Sequence, residues 1–132
     1  MRLTRAGEYA IRCILYLSNK GENVLVSKKE IAEQMDIPSQ FLGKIAQQLA
    51  KSRIVEITQG AKGGMKLSNP SEKISLLDVV ESVIGEIYLN DCIAKPKSCK
   101  ISGDCLVQNI WDKARTGLRD TLKEVTFNEL VK

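Results

Sequence analysis

Apolar residues spaced three and four apart open the chain. Leu3, Ala6, Tyr9, Ala10, Cys13, Ile14 and Leu17 follow Thr4 as one stripe and predict an amphipathic helix that ends before Gly21. Residues 24–26 make a short β-prone run. Ser27-Lys28-Lys29-Glu30 then carries the S-x-x-E pattern of a capping box and starts a helix through Ile31, Ala32 and Met35, stopped by Asp36-Ile37-Pro38. Ser39 is the expected cap of the next helix. Its inward stripe is Phe41, Leu42, Ile45 and Leu49, which leaves Gln40, Gly43, Lys44, Gln47 and Lys51 on other faces. Two short helices joined by a few turn residues, the second with a polar outward face, predict a helix-turn-helix.

Residues 54–58 are β-prone, residues 59–64 form a glycine-rich turn, and Met65-Lys66-Leu67 can return as the partner strand, so a hairpin follows the two helices. It is either a wing beside the recognition helix or a hairpin that closes the core. No G-x-x-x-x-G-K-[ST] or G-x-G-x-x-G string accompanies Gly60, Gly63 and Gly64, so a phosphate-binding loop is set aside.

After residues 68–71, Ser75 and Asp78 form an S-x-x-D cap for a helix through Leu76, Leu77, Val79, Val80, Val83 and Ile84, ended by Gly85. Residues 86–103 show no clear period and read as a long loop. Leu106, Ile110, Trp111, Ala114, Leu118 and Leu122 draw one apolar stripe along a long helix, and Thr126 with Glu129 forms a last capping box. That helix either dimerises or folds back on its own winged domain. The expected architecture is mainly α with a small β wing: a winged helix-turn-helix over residues 1–70, then a cysteine-loop sensor segment and dimerisation helix over residues 71–132.

Charge changes the picture by where it lies. The chain has 132 residues and a formal net charge of +4, yet residues 1–70 carry +5 and residues 71–132 carry −1. A basic N-terminal part suits a polyanion, here double-stranded DNA. Within the helix-turn-helix, Ser39, Gln40 and Lys44 are expected on the recognition helix, Ser27 and Lys28 at the preceding helix start, and Gln59 and Lys62 on the wing.

The chain contains no histidine, which removes Ser-His-Asp and Cys-His catalysis, histidine metal sites and the usual proton switch near neutrality. No general base, nucleophile pair or cofactor fingerprint emerges, so an enzyme is not expected. No run of about 18 apolar residues and no signal-peptide pattern is present, which predicts a cytoplasmic protein without a membrane partner. Four cysteines in that compartment read as ligands, redox sensors or core filler rather than disulfides. Cys92, Cys99 and Cys105 lie within fourteen residues beside Lys95, Lys97 and Lys100, a setting that favours thiolates and metal binding. Disulfide exchange or zinc is the other reading of the triad. Cys13, on the apolar stripe, reads as a small buried hydrophobe.

Together these residues resemble the Rrf-type winged-helix transcription regulators over nearly all of residues 1–131, and specifically their iron–sulfur-binding, IscR- and NsrR-like branch. The resemblance rests on Met1-Arg2-Leu3-Thr4 with Tyr9-Ala10, on Ile31-Ala32 and Ile37-Pro38, on Gly60, Gly63 and Gly64, on residues 76–81, on the cysteine triad and on Trp111. It implies a homodimer that reads a partly palindromic operator, with affinity set by an iron–sulfur cluster, a two-iron cluster being preferred to a four-iron one. Three departures stand out. Gln59 replaces the wing arginine of many relatives, Met65 replaces an aromatic, and Gln108 stands where some cluster-binding relatives have histidine. Other branches complete the cluster with a carboxylate near the start of the first helix. At that position Glu8 is either the fourth ligand, reaching the partner's cysteine loop, or a helix-start charge.

Overall fold

The computed structural model describes residues 3–89 and 106–131. Helix α1 spans Arg5–Lys20 and is capped by Thr4, whose hydroxyl accepts the Gly7 N–H. Helix α2 spans Lys28–Gln34 and α3 spans Ser39–Lys51. Strands β1 (Val55–Thr58) and β2 (Gly64–Leu67) pair antiparallel in the register Val55 to Leu67 through Thr58 to Gly64. A single 3₁₀ turn, Ser71–Lys73, leads into α4 (Leu76–Ile84). The long helix α5 covers Leu106–Glu124, and a last turn, α6, covers Phe127–Leu130. The architecture is mainly helical with a two-stranded wing, as the periodicity predicts.

The turn between α2 and α3 is built by a Schellman motif. Asp36 takes a left-handed φ of 53°, and the Ile37 N–H reaches back to the Ala32 carbonyl at 3.0 Å. Arg12 of α1 donates to the Met35 and Asp36 carbonyls, which satisfies acceptors that the end of α2 would otherwise leave open. The same motif closes α3, with Arg53 at φ 63° and the Ile54 N–H on the Leu49 carbonyl.

Three local expectations are corrected. Ser39 is the first residue inside α3 rather than its cap: Pro38 holds the cap position, since its carbonyl takes the Leu42 N–H, and its hydrocarbon ring offers no side-chain acceptor. Phe41 is 45% exposed instead of inward, since α3 turns its buried stripe through Leu42, Ile45, Ala46 and Leu49, leaving Phe41 edge-on to Tyr9 at 5.6 Å. Thr126 makes no capping bond and pairs with the Asn128 side chain, because its backbone is drawn into a bridge with Ser75. The Ser75–Asp78 box forms in both directions as expected. Of the Ser27–Glu30 box only the hydroxyl half forms, since the Glu30 carboxylate is taken by Tyr16 and Lys20 of α1.

One core runs through the molecule, from Tyr9, Cys13 and Ile14 of α1 through Ile31, Leu42, Ile45 and Leu49 to Met65, and on to Ile74, Val79 and Phe127. The C-terminal turn therefore plugs the winged domain: Phe127 is fully buried, and its N–H bonds the Ile74 carbonyl at 3.0 Å. Emptying such a position costs about 3–5 kcal/mol. A second, smaller cluster of Leu77, Val80 and Ile87 lies under Leu118 and Leu122 of α5.

Candidate functional site

The helix-turn-helix and wing are locked together at one point. The Val26 N–H and carbonyl bond the Met65 carbonyl and N–H at 2.9 and 2.8 Å, so the strand-like residue before α2 pairs with β2. Gly64 permits this approach, because a side-chain carbon there would stand 2.2 Å from the Val26 carbonyl oxygen. Gly63 permits the turn, where the same atom would stand 2.1 Å from the Thr58 carbonyl oxygen. The wing glycines thus serve the close backbone packing of the hairpin and of α2.

That lock brings some of the expected DNA-contacting residues together. Ser27, Lys28, Thr58 and Gln59 line one concavity of about 210 Å³ with Gly60, Ala61, Gly63 and Gly64. The Ser27 oxygen accepts the Glu30 N–H at 3.1 Å, which leaves its own proton free to be donated outward to an anionic oxygen. Lys44 lies in a second hollow, on the outer face of α3, with Gln47, Gln48 and Lys51. Ser39, Gln40 and Lys62 are exposed and line neither hollow.

Gln47, Gln48 and Lys51 were not among the expected contact residues, although they follow Lys44 by three, four and seven positions, the spacing of one helix face. Thr58 was missed for a different reason. Its place beside Ser27 depends on the Val26–Met65 pairing, which joins residues far apart in sequence.

The orientation of α2 on α1 is held by polar contacts as well as by the core. The Tyr16 hydroxyl and the Lys20 ammonium, 3.2 Å away, both bond Glu30 and hold its carboxyl below the ordinary glutamate range. Arg12 lies over the Tyr9 ring, 5.4 Å from its centroid, while reaching the turn before α3.

The expected metal donors fall in two places. Cys92, Cys99 and Cys105 lie outside the described residues. Glu8 is exposed in the first turn of α1, and its carboxylate makes no hydrogen bond or ion pair among the described residues. A side-chain carbon at Gly7 would sit 3.5 Å from Ile84, so this turn lies beside the end of α4, from which residues 85–89 lead toward the cysteines. Glu8 thus offers an unengaged oxygen donor in the exposed first turn of α1. Cys13 does not. It is fully buried, and burial pushes its thiol up to about 12, so it stays protonated as the apolar stripe implies. Among the described residues alone, no group of three or more acidic or cysteine side chains could hold a metal ion.

Among the described residues, the long helix is covered by its own chain over its C-terminal part only. Leu118 and Leu122 fold back onto the α4 cluster, and Arg119 grips Glu81 with two hydrogen bonds of 3.0 and 2.7 Å. Leu106, Val107, Ile110 and Trp111 face solvent. No helix among the described residues is long and apolar enough to cross a membrane.

A family model described as an iron-dependent transcriptional regulator matches residues 3–132. The HTH-type transcriptional regulator NsrR of Oceanobacillus iheyensis is 29% identical, the alignment covering all of this chain and 90% of that protein. NsrR of Bacillus licheniformis is also 29% identical, over 99% of this chain and 92% of that one. The oxidized form of Staphylococcus aureus CymR superposes with a TM-score of 0.76 at 26% identity, over 98% of this chain and 95% of that one. T. potens IscR superposes with the same TM-score at 20% identity, over 98% and 86%, a likeness of fold alone. The NsrR relatives are transcriptional regulators, not enzymes, and the CymR and IscR structures share the fold. The chain belongs to the Rrf2 family of DNA-binding transcription regulators.

Proposed function

We propose that this regulator is a homodimer whose operator affinity is controlled by an iron–sulfur cluster held by Cys92, Cys99, Cys105 and Glu8. In this reading residues 1–70 read DNA, and residues 71–132 sense and dimerise. The observation that carries it is the exposed, unengaged Glu8 carboxylate in the first turn of α1, a turn whose Gly7 lies beside Ile84 at the end of α4, the helix that precedes three clustered cysteines in the sequence. The description of the family as iron-dependent and the similarity to NsrR proteins support it.

When bound, such a cluster supplies a centre that responds to redox state, nitric oxide or iron–sulfur supply. Glu8 would contribute a hard oxygen among soft thiolates, and so the most weakly held donor. A ligand there would tie the cluster to α1, the helix whose Arg12 and Tyr16 hold the turn and α2 in place. The N-terminal residues of α3, Ser39 and Gln40, face base edges, and Lys44 with Ser27 and Lys28 holds phosphates. Gln59 and Lys62 extend the wing toward a neighbouring groove. Two copies would place two recognition helices on half-sites about one helical turn apart.

The test is anaerobic purification of the full chain with iron and acid-labile sulfide counted per chain, alongside visible absorption and Mössbauer spectra. Stoichiometric iron and sulfide, with faster loss to chelator in Glu8→Ala, is the expected result. The spectra separate a two-iron from a four-iron cluster. For the DNA contact, Lys44→Ala should lower the slope of log affinity against log salt by about 0.9; an unchanged slope removes Lys44 from the interface.

A second reading is a cluster-free thiol or zinc sensor of the same fold, favoured by the similarity to a CymR characterised in an oxidized form. A colourless chain that cannot be reconstituted, yet changes its DNA affinity on oxidation, would establish it.

A further inference from the structure

Residues 86–89 are the last described residues before the cysteine-bearing stretch, and they are fastened by an unusually dense set of contacts. The Ile87 side chain is buried with Leu77 and Val80. Its N–H donates to Glu81 Oε2 at 2.8 Å, and its carbonyl accepts Arg115 Nε at 2.6 Å. Arg115 also lies over the Tyr88 ring at 4.2 Å and pairs with Glu86 at 3.4 Å. Glu81 is the shared member: besides Ile87 it accepts two hydrogen bonds from Arg119. One carboxylate on α4 thus joins the outgoing chain to α5.

The position of α4 gives this knot its consequence. Ile84 lies beside the first turn of α1, three residues after Glu81, and Val79 stands in the same core as Leu42 and Ile45 of α3. A change in how residues 86–89 are held therefore bears directly on the element that α1 and the recognition helix pack against. Close-packed elements pass on such displacements rather than absorbing them.

We propose that Glu81 is a positioning residue: it fixes the chain leading into the cysteine-bearing stretch against α4 and α5, and couples the state of that stretch to the DNA-reading helices. The coupling half of this proposal rests on the regulatory reading given above. The positioning half stands on the geometry alone.

The experiment uses the full chain in two forms, stripped with chelator and reductant, and reconstituted with iron and sulfide. The probe is a DNA duplex recovered by selection from a random-sequence pool. Two quantities are read: amide hydrogen exchange at Ile87 in the stripped protein, and the ratio of duplex affinities between the two forms. In Glu81→Ala, Ile87 exchange is expected to rise at least tenfold and the affinity ratio to fall at least fivefold toward one. The stripped protein's own affinity should stay within twofold of wild type, since Glu81 is not in the DNA-contacting set. Glu81→Gln, which keeps the shape and an acceptor, should fall between the two.

Unchanged Ile87 exchange in Glu81→Ala overturns the proposal. So does faster exchange with the wild-type affinity ratio retained, because the knot would then hold the chain without coupling it. A wild-type ratio of one overturns the regulatory reading together with the coupling role, and exchange at Ile87 then decides the positioning role by itself.

Discussion

The two halves of α5 share one amphipathic stripe and meet different surroundings. Toward its C-terminal end, Leu118 and Leu122 are covered by Leu77, Val80 and Ile87 of the same chain, and Arg119 is paired with Glu81. Toward its N-terminal end, Leu106 is 79% exposed and Ile110 is 63% exposed, with Val107 and Trp111 beside them. Folding of one chain explains the first half. The second half leaves an apolar surface of a kind that marks an interaction site, and it is the part of residues 71–132 where the proposed dimer contact would fall.

The largest effect that can break this comparison is on assembly. Ile110→Glu places a charge in the exposed half and is expected to turn a dimer into a folded single chain of 14.7 kDa by sedimentation equilibrium, with unchanged helical circular dichroism. Loss of the second DNA-reading domain should weaken operator binding about a hundredfold. A dimer of undiminished affinity would move the interface elsewhere. In the covered half, Leu122→Ala should instead destabilise the chain by roughly 1.5 kcal/mol, less than the 2–5 kcal/mol of a fully buried leucine because Leu122 is only half-buried. Its dimerisation should be intact, as read from urea unfolding and sedimentation on the same sample.

This division was half legible in the sequence. The stripe from Leu106 to Leu122 is plain from spacing, and so are α1, the Ser75–Asp78 box and the glycine-rich wing turn, because each rests on residues close together in the chain. What the spacing does not reveal is where a stripe finds its cover. Phe41 sits at a helical interval that suggests burial, yet the packing of α3 on α1 leaves it at the edge against Tyr9. Ser39 resembles a cap, but the Schellman turn at Asp36 sets the start of α3 one residue earlier.

Of the candidate site, Lys44 and Gln59 were visible as polar residues on expected elements. The partnership of Ser27 with Thr58 depends on the Val26–Met65 pairing, which no local pattern announces. The burial of Phe127 in the N-terminal core is equally nonlocal, held by Leu76 and Phe127 exchanging backbone bonds with Val125 and Ile74.

The polar edge of the covered half sharpens the comparison through pH. Burial pushes the Glu81 carboxyl up, but the Arg119 guanidinium and the Ile87 N–H outweigh it and hold the carboxyl below the ordinary glutamate range. A group whose folded value is depressed stabilises the fold fully above its unfolded value, and that contribution is lost as pH falls through the folded one. Glu81→Gln should therefore cost about 1 kcal/mol at pH 7, and its melting temperature should converge on that of the wild type as pH drops below about 4. A gap that is constant with pH would mean that the carboxylate charge contributes nothing there.

The smallest effect comes from the exposed half, and it separates a surface that waits for a partner from one that is merely apolar. Leu106→Ser removes an apolar side chain that this chain barely covers, so the stability of a single chain should change by less than about 0.5 kcal/mol. In a dimer that buries this face, the same substitution acts through association, and its cost must then depend on protein concentration. Melting wild type and Leu106→Ser at two concentrations a hundredfold apart reads the difference directly. A midpoint gap that grows with concentration places Leu106 in the dimer interface, whereas a small gap that is the same at both leaves it on the rim. A large gap independent of concentration would show that Leu106 is covered within its own chain, and the contrast between the two halves of α5 would fall.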